Sequence, residues 1–428
     1  MIRTSFGSDE HCPVAWETTV GPVTEEIPSP GEELRRIQTF RSEARDWLER
    51  NAGHFRADPD GLSLVFADVS DSSHLARGRQ WQRLLHQGGW AGISWPTEHG
   101  GRGASMIEQA IWAQEYAAAA APPGINLLAE AVIGPTLIAH GDGEQRARFL
   151  PPMLPGDEIW CQLFSEPSAG SDMAAVRTRA RRQSDHWIID GHKIWTSAAH
   201  YADFGLVLAR TDWDAPKHGG CTCFVIDMRT SGVKCRPLRQ MTGGAAFNEV
   251  FLESVQVADC RRIGREGDGW RVASTALGHE RLALGLGLSR VGGGVDRVLR
   301  DFARSRAVAD PVARQSAADL WIKARSLAYL GESTLERLVA GETPGPEGAV
   351  TKLVSARVSR SCDEVMDLSR GAGATVWDAT TLLQLWVPAT SIAGGTDEIL
   401  RSIVAQRILH LPRREDTDKD RPFSEVPH

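Results

Sequence analysis

The sequence predicts an α+β chain of several domains, ordered helical, β, helical. Three observations carry that expectation. Apolar residues recur at helix spacing from Gly31 to about residue 155, short alternating runs then take over, and helix periodicity returns from Gly267. The 428 residues are enough for more than one layer with a sizeable core.

Residues 1–30 carry Pro22, Pro28 and Pro30 among several acids and are expected to form a flexible extension. In the helical domain expected over 31–155, Leu34, Ile37, Phe40, Ala44 and Leu48 mark one helical face. Further helices are expected at about 75–88, 105–120, 124–140 and 143–150, the last stopped by Pro151 and Pro152. Pro96, Gly100, Gly101 and Gly103 form a loop between the second and third. In the β block, 156–266, Trp187–Ile189, Phe204–Leu208, Cys223–Asp227 and Val250–Leu252 read as strands between Gly, Asp and Pro turns. The C-terminal domain, 267–412, reads as helices at about 268–305, 310–340, 347–370 and 393–409, with Gly341–Gly348 as a connecting loop. Arg413–His428, charged and with two prolines, is expected to be a disordered tail.

Composition excludes some functions. With 42% apolar and 24% charged residues the chain is of ordinary globular type. A net charge of −7 gives nucleic-acid binding no support, and an anionic ligand would need local Arg or Lys. Seven scattered cysteines, with no second pair beside Cys221-Thr-Cys223, suggest reduced thiols in a cytoplasmic protein rather than a zinc site. The N-terminus lacks the apolar segment of a secretory signal, and no apolar run reaches the length of a membrane span.

Two stretches concentrate chemistry. Trp160-Cys-Gln-Leu-Phe-Ser-Glu-Pro-Ser-Ala-Gly-Ser-Asp172 runs from an apolar strand into a loop of small residues, offering backbone N–H groups and hydroxyls to a polar guest. A Ser- and Gly-rich surface turn is the commoner meaning of such composition. Asp190-Gly-His-Lys-Ile-Trp-Thr-Ser197 reads as a hairpin turn at Asp190-Gly191, then a strand with Trp195 and Ser197 on one face.

Together with Phe247-Asn-Glu-Val-Phe251, Ala393-Gly-Gly-Thr-Asp-Glu-Ile399 and Trp95-Pro-Thr-Glu-His-Gly-Gly-Arg-Gly103, these stretches resemble the flavin-dependent acyl-CoA dehydrogenases in order and separation, over roughly residues 32 to 412. The resemblance implies an N-terminal helical domain, a central β-barrel-like domain and a C-terminal four-helix bundle. It implies FAD as cofactor, an acyl-CoA substrate of fatty acid or steroid degradation, and an electron-transfer flavoprotein as acceptor. Gln162, Phe164 and Ser165 match positions beside the isoalloxazine ring; Gly170 and Ser171 match positions near the flavin phosphates and the substrate's pantetheine. Trp195 and Ser197 match the aromatic that covers the flavin and the hydroxyl near its N5. Thr396 and Glu398 fall where the family contacts the cofactor. Arg304 aligns with an Arg that reaches the flavin pyrophosphate of a neighbouring subunit, and Asp367 and Gly371 stand at the adenine end.

The base departs from the commonest pattern. Many family members carry a Glu directly before the Gly-Thr of the C-terminal loop, and here that position is Gly394, which has no side-chain proton acceptor. A subset, resembling sterol side-chain dehydrogenases, places the carboxylate on a helix after the β domain, just before an Arg. His279-Glu-Arg-Leu-Ala-Leu284 fits, so Glu280 is the candidate base and Arg281 a candidate substrate contact. The bland alternative for Glu280 is a helix-surface ion pair. Gly394 would keep the backbone N–H that polarises the thioester carbonyl while opening space beside Cα, which suits a branched or bulky acyl group.

Ala307-Val308 replaces the Phe-Gly usual after the Arg, and Asp367 and Arg370-Gly371 alter the adenine end. These changes resemble the split sites of heteromeric sterol dehydrogenases. Homodimer, homotetramer and heterotetramer therefore stay open. So do two other readings: a non-catalytic or half-site subunit, and an oxygen-using oxidase or tailoring enzyme on the same scaffold.

Overall fold

The computed structural model describes residues 30–55, 72–122, 124–285, 294–340, 342, 345–412 and 418–426. The first domain is built on α1 (Pro30–Asn51), α2 (Ser72–Gln87), α3 (Met106–Ala118), α4 (Gly134–His140) and α5 (Gly143–Met153). Its core is rich in indoles: Trp90 and Trp112 stack at 4.3 Å, and Trp47 lies 5.6 Å from Trp81. Trp95 sits at the junction of loop and helices, 1% exposed, with its indole N–H donating to the Glu130 carbonyl at 2.7 Å. A Cβ on Gly134 would lie 1.9 Å from the Trp95 ring, so only glycine lets the helix and loop approach. The expected single helix at 124–140 is instead a π-turn, Ala129–Ile133, followed by α4. Extra backbone length at a π-turn commonly marks a place where the helix must present a group out of register.

The middle domain is one eight-stranded sheet. Its strands are β1 (Trp160–Leu163), β2 (Arg179–Gln183), β3 (His186–Ser197), β4 (Phe204–Arg210), β5 (Cys221–Asp227), β6 (Val233–Leu238), β7 (Phe247–Ala258) and β8 (Arg262–Ile263). Their order is β6-β7-β3-β2-β4-β5-β8, with β1 parallel to β4. Every residue of β4 is buried, because its two faces serve two cores. Leu206 and Leu208 join the helical core, while Val207 and Ala209 pack with Phe224, Val250 and Leu252 inside the curled sheet. The hairpin expected at Asp190-Gly191 is not there. The chain turns at Ser184-Asp185, between β2 and β3, and Gly191 pairs with Leu252 within β3. Glycine is required at 191 for space: a Cβ would lie 2.2 Å from the Thr178 hydroxyl oxygen.

In the third domain, α6 (Gly269–Gly285), α7 (Val295–Arg304), α8 (Pro311–Val339), α9 (Gly348–Arg370), α10 (Ala379–Trp386) and α11 (Asp397–Ile403) gather about α9. Val298, Phe302, Leu320, Val358 and Val365 fill the space between α7, α8 and α9. The single helix expected over 268–305 is α6 and α7, with residues 286–293 outside those described. The helix expected from 393 starts only at Asp397, because Gly394 and Gly395 take φ of 67° and 96°. The tail expected to be disordered has a docked portion: Phe423 is 1% exposed. The expected extension 1–30 lies outside the described residues except for Pro30. Among the described residues no helix is long and apolar enough to cross a membrane, and no His, Cys, Asp and Glu cluster could hold a metal ion.

Candidate active site

The two chemistry-rich stretches are locked together by a buried ion pair. Lys193 is wholly buried; its ammonium donates to Glu166 at 2.8 Å and to the carbonyls of Phe164 and Leu208 at 3.0 and 2.7 Å. Glu166 also accepts from the backbone N–H groups of Arg177 and Thr178 at 2.6 and 2.8 Å, closing the base of the loop between them. Burial alone would raise the Glu166 pKa, but the Lys193 charge and these donors hold it below the ordinary range. Burial in turn draws Lys193 down against the pull of Glu166.

This pair sets the neighbouring side chains. The N–H of Ile194 donates to the Ser165 carbonyl at 3.0 Å, bringing the end of β1 against β3. Between Lys193 and Thr196 the pairing with β7 shifts register, and Trp195 sits in the bulge at φ 60°. The bulge breaks strand alternation: Lys193 points in, whereas Trp195, 59% exposed, and Ser197 point out. The Trp195 indole meets Phe247 edge-on at 5.9 Å, and Phe247 stacks on Trp386 of α10 at 5.8 Å with parallel planes. The Trp195 indole is thus held in left-handed backbone with its flat face open to solvent, beside the Ser197 end of the strand.

Glu280 lies on the face of α6 that also carries Ala273 and Ala276, both fully buried. That helix packs against the π-turn, α4, β4, β5 and α9. The Gln162 side chain of β1 comes near enough to the Glu280 carboxylate to favour its charged form, so two residues far apart in sequence approach each other in the structure. Burial pushes the Glu280 pKa above the ordinary range; the Arg281 charge and Gln162 only partly oppose this. Arg281 is itself lowered by burial, against the pull of Glu280. His279, next along the helix, is lowered by burial.

The Gly394 loop hangs on α9. Lys352 of that helix donates to the Gly395 carbonyl at 2.7 Å and stands 3.7 Å from the buried Asp397. Arg360 also reaches Asp397, at 3.3 Å. Asp397 is thereby an anchor for the loop. Thr396 caps α11, its hydroxyl accepting from the Ile399 N–H at 3.3 Å. Helix α9 thus supports both α6, which carries Glu280, and the Gly-Gly-Thr loop.

The other expected contacts stand apart from this group. Gly170 and Ser171 are exposed on the loop after β1, and Arg304 is exposed at the end of α7. Asp367 is exposed on α9 and accepts from the Gln384 amide. Gly371 follows α9 at φ 53°, and Glu398 is exposed beside Arg401 at 3.5 Å. Sequence reasoning missed Lys193, Glu166 and Lys352 as organisers. Two ionisable groups inside the signature stretches were a usable signal for the first pair; nothing in the sequence marks Lys352.

Comparison with known proteins bears on the family and the domain order. The N-terminal, middle and C-terminal domains of acyl-CoA dehydrogenases match residues 37–157, 161–255 and 267–409. Acyl-CoA dehydrogenase IpdE1 of Mycobacterium tuberculosis is 38% identical over 387 residues, covering 89% of this chain and 99% of the relative. Acyl-CoA dehydrogenase FadE34 of the same organism is 39% identical over 392 residues, covering 90% of this chain and 53% of that protein. Among solved structures, the Tcur3481-Tcur3483 steroid ACAD aligns with a TM-score of 0.77 at 26% identity, over 91% of this chain and 100% of that one. With all three domains matched in order, the chain belongs to the acyl-CoA dehydrogenase family, flavoprotein oxidoreductases acting on acyl-CoA.

Proposed function

We propose that this acyl-CoA dehydrogenase oxidises the Cα–Cβ bond of a bulky acyl-CoA with Glu280 as its base. The observation that carries the reading is the Glu280 carboxyl: half-buried on α6, raised in pKa by desolvation, and close enough to Gln162 of β1 to feel its side chain. Desolvation makes a carboxylate a stronger base, which suits removal of an α-proton made acidic by a polarised thioester. The Gly394 backbone N–H is assigned to the thioester carbonyl, where it stabilises negative charge as the proton leaves. Arg281 is assigned to the substrate side of the base.

The residues present fit FAD. Trp195 offers an exposed planar face, Ser165 and Ser197 hydroxyls for a polar ring edge, and Gln162 and Phe164 the adjoining strand. Gly170 has no atom within 4 Å of a built Cβ, which leaves room for a phosphate at the loop. A bound FAD supplies the acceptor for the β-hydride. Thr396 and Glu398 are assigned to the cofactor by the family resemblance, and an electron-transfer flavoprotein is the expected acceptor.

The bulky acyl group follows from Gly394: no side chain occupies the place beside Cα, and similarity to a steroid ACAD agrees with that chemistry. Adding Gly394→Glu to Glu280→Ala should restore part of the turnover on straight-chain acyl-CoAs. The φ of 67° will limit the gain, since non-glycine residues cost about 1 kcal/mol there. No recovery on any chain length would count against the shared geometry.

A second reading, a half-site subunit of a heteromer, is favoured by Arg304 and Asp367, both exposed, with Asp367 engaged by Gln384. If it holds, the chain purified alone will be colourless and will gain flavin only when co-expressed with a related subunit. A yellow protein from the single chain would exclude it.

A further inference from the structure

Beyond residue 409, where the match to the family's C-terminal domain ends, the chain returns to the middle domain. The N–H of Phe423 donates to the Ala215 carbonyl at 3.0 Å and that of Ser424 to the Trp213 carbonyl at 2.9 Å, a short strand-like pairing. The Phe423 ring lies 5.4 Å from the Trp213 ring, and its face covers the Arg210 guanidinium at 3.5 Å. Arg210 is fully buried at the end of β4 and is held by carbonyls: Ala174 at 2.6 Å, Val176 at 3.1 Å and Lys217 at 3.3 Å. Lys217 in turn reaches the Asp172 carboxylate at 3.1 Å, one residue from Ser171.

We propose that Asp418–Val426 is a clasp, with Phe423 as a positioning residue that holds the Ser168–Val176 loop in place through Arg210. Water and the loop carbonyls compete for the buried Arg210 cation. Its carbonyl bonds draw strength from the dry site that the aromatic ring seals. Opening that face admits water to the guanidinium, and the backbone at 174 and 176 loses its exclusive partner. Glu166 holds the loop at its base, Lys217 holds Asp172, and Ala169, Met173 and Val176 pack in the helical core, while the carbonyls of Ala174 and Val176 are held by Arg210. A consequence for turnover rests on the assignment of Gly170 and Ser171 to cofactor and substrate; the clasp itself does not.

The test uses the full-length holoprotein. Amide exchange of residues 168–176 is measured in wild type, Phe423→Ala and Phe423→Leu, alongside steady-state kinetics with an acyl-CoA and a Ser171→Ala control. Phe423→Leu keeps most of the apolar volume and guards against simple failure to fold. The clasp predicts exchange in 168–176 faster by roughly tenfold in Phe423→Ala, less in Phe423→Leu, with β3 and β7 unchanged. KM should rise by roughly fivefold with kcat within about twofold. Unchanged exchange at 168–176 in a folded Phe423→Ala protein, or faster exchange spread over the whole β domain, would overturn the clasp. Faster local exchange with unmoved KM in both Phe423→Ala and Ser171→Ala would uphold the clasp and refute the ligand assignment of the loop.

Discussion

Glu166, buried, and Glu280, half-buried, are two carboxylates near β1 whose surroundings drive them in opposite directions. Glu166 has a full cation and two backbone N–H groups within 2.8 Å, and is held ionised below the ordinary range. Glu280 has burial as its largest influence, answered only by Arg281 and the neutral Gln162, and is raised. A carboxylate that is fully compensated can build structure but has little appetite for a proton. One that is under-compensated is a base in waiting. Carboxylates pushed apart by environment are how one fold separates scaffold from acid–base chemistry. The more conspicuous of the two in sequence, set among Pro, Ser and Gly, is the scaffold.

Stripping the cation from Glu166 should have the largest effect of any single change here. Lys193→Met leaves a buried carboxylate without its partner and should cost about 3–5 kcal/mol, seen as loss of soluble protein or a collapsed urea midpoint. Adding Glu166→Leu to Lys193→Met should recover much of that loss. Stability close to wild type in Lys193→Met alone would mean that the pair does not organise the loop.

Gly191→Ala attacks the same site by volume. Its methyl would press on Thr178, whose N–H serves Glu166, and overpacking of this kind costs about 1–3 kcal/mol in thermal or denaturant unfolding. The two carboxylates also differ with pH. The depressed Glu166 contributes stability above its unfolded pKa, lost as pH falls through its lower folded value. The raised Glu280 penalises the folded state once pH exceeds its unfolded value, so Glu280→Gln should be more stable than wild type at pH 8, by about 1 kcal/mol, and no more stable at pH 4. Turnover should fall on acidification with an apparent pKa above the usual carboxylate value of about 4.3, because protonated Glu280 cannot accept the α-proton. A rate flat down to that value would contradict the raised base.

Much of this was legible in the sequence. The helical, β, helical order is plain because each period extends over many residues, and the family resemblance singles out Glu280 as a candidate by the Arg beside it and the glycine where a carboxylate usually stands. What period alone could not show were the local exceptions. Asp190-Gly191 has turn chemistry, yet Thr178 from β2's approach needs the missing Cβ, so tertiary space overrode the turn signal. Strict alternation would put Trp195 on the same inner face as Lys193; the bulge at φ 60° turns the indole outward. The tail's charge pattern hid one aromatic, Phe423, whose burial depends on Trp213 and Arg210 far upstream. Lys352 and Asp397 likewise pair across 45 residues (397 − 352) with no local mark.

The central claim is that Glu280 does the chemistry and Glu166 the construction. It is tested most directly by mixing the flavin-loaded protein with a panel of acyl-CoAs without oxygen and following the flavin band. The account predicts that wild type bleaches and that Glu280→Gln keeps its flavin and binds substrate but bleaches slower by roughly 10³-fold. Bleaching of Glu280→Gln at the wild-type rate would place the base elsewhere and contradict the account.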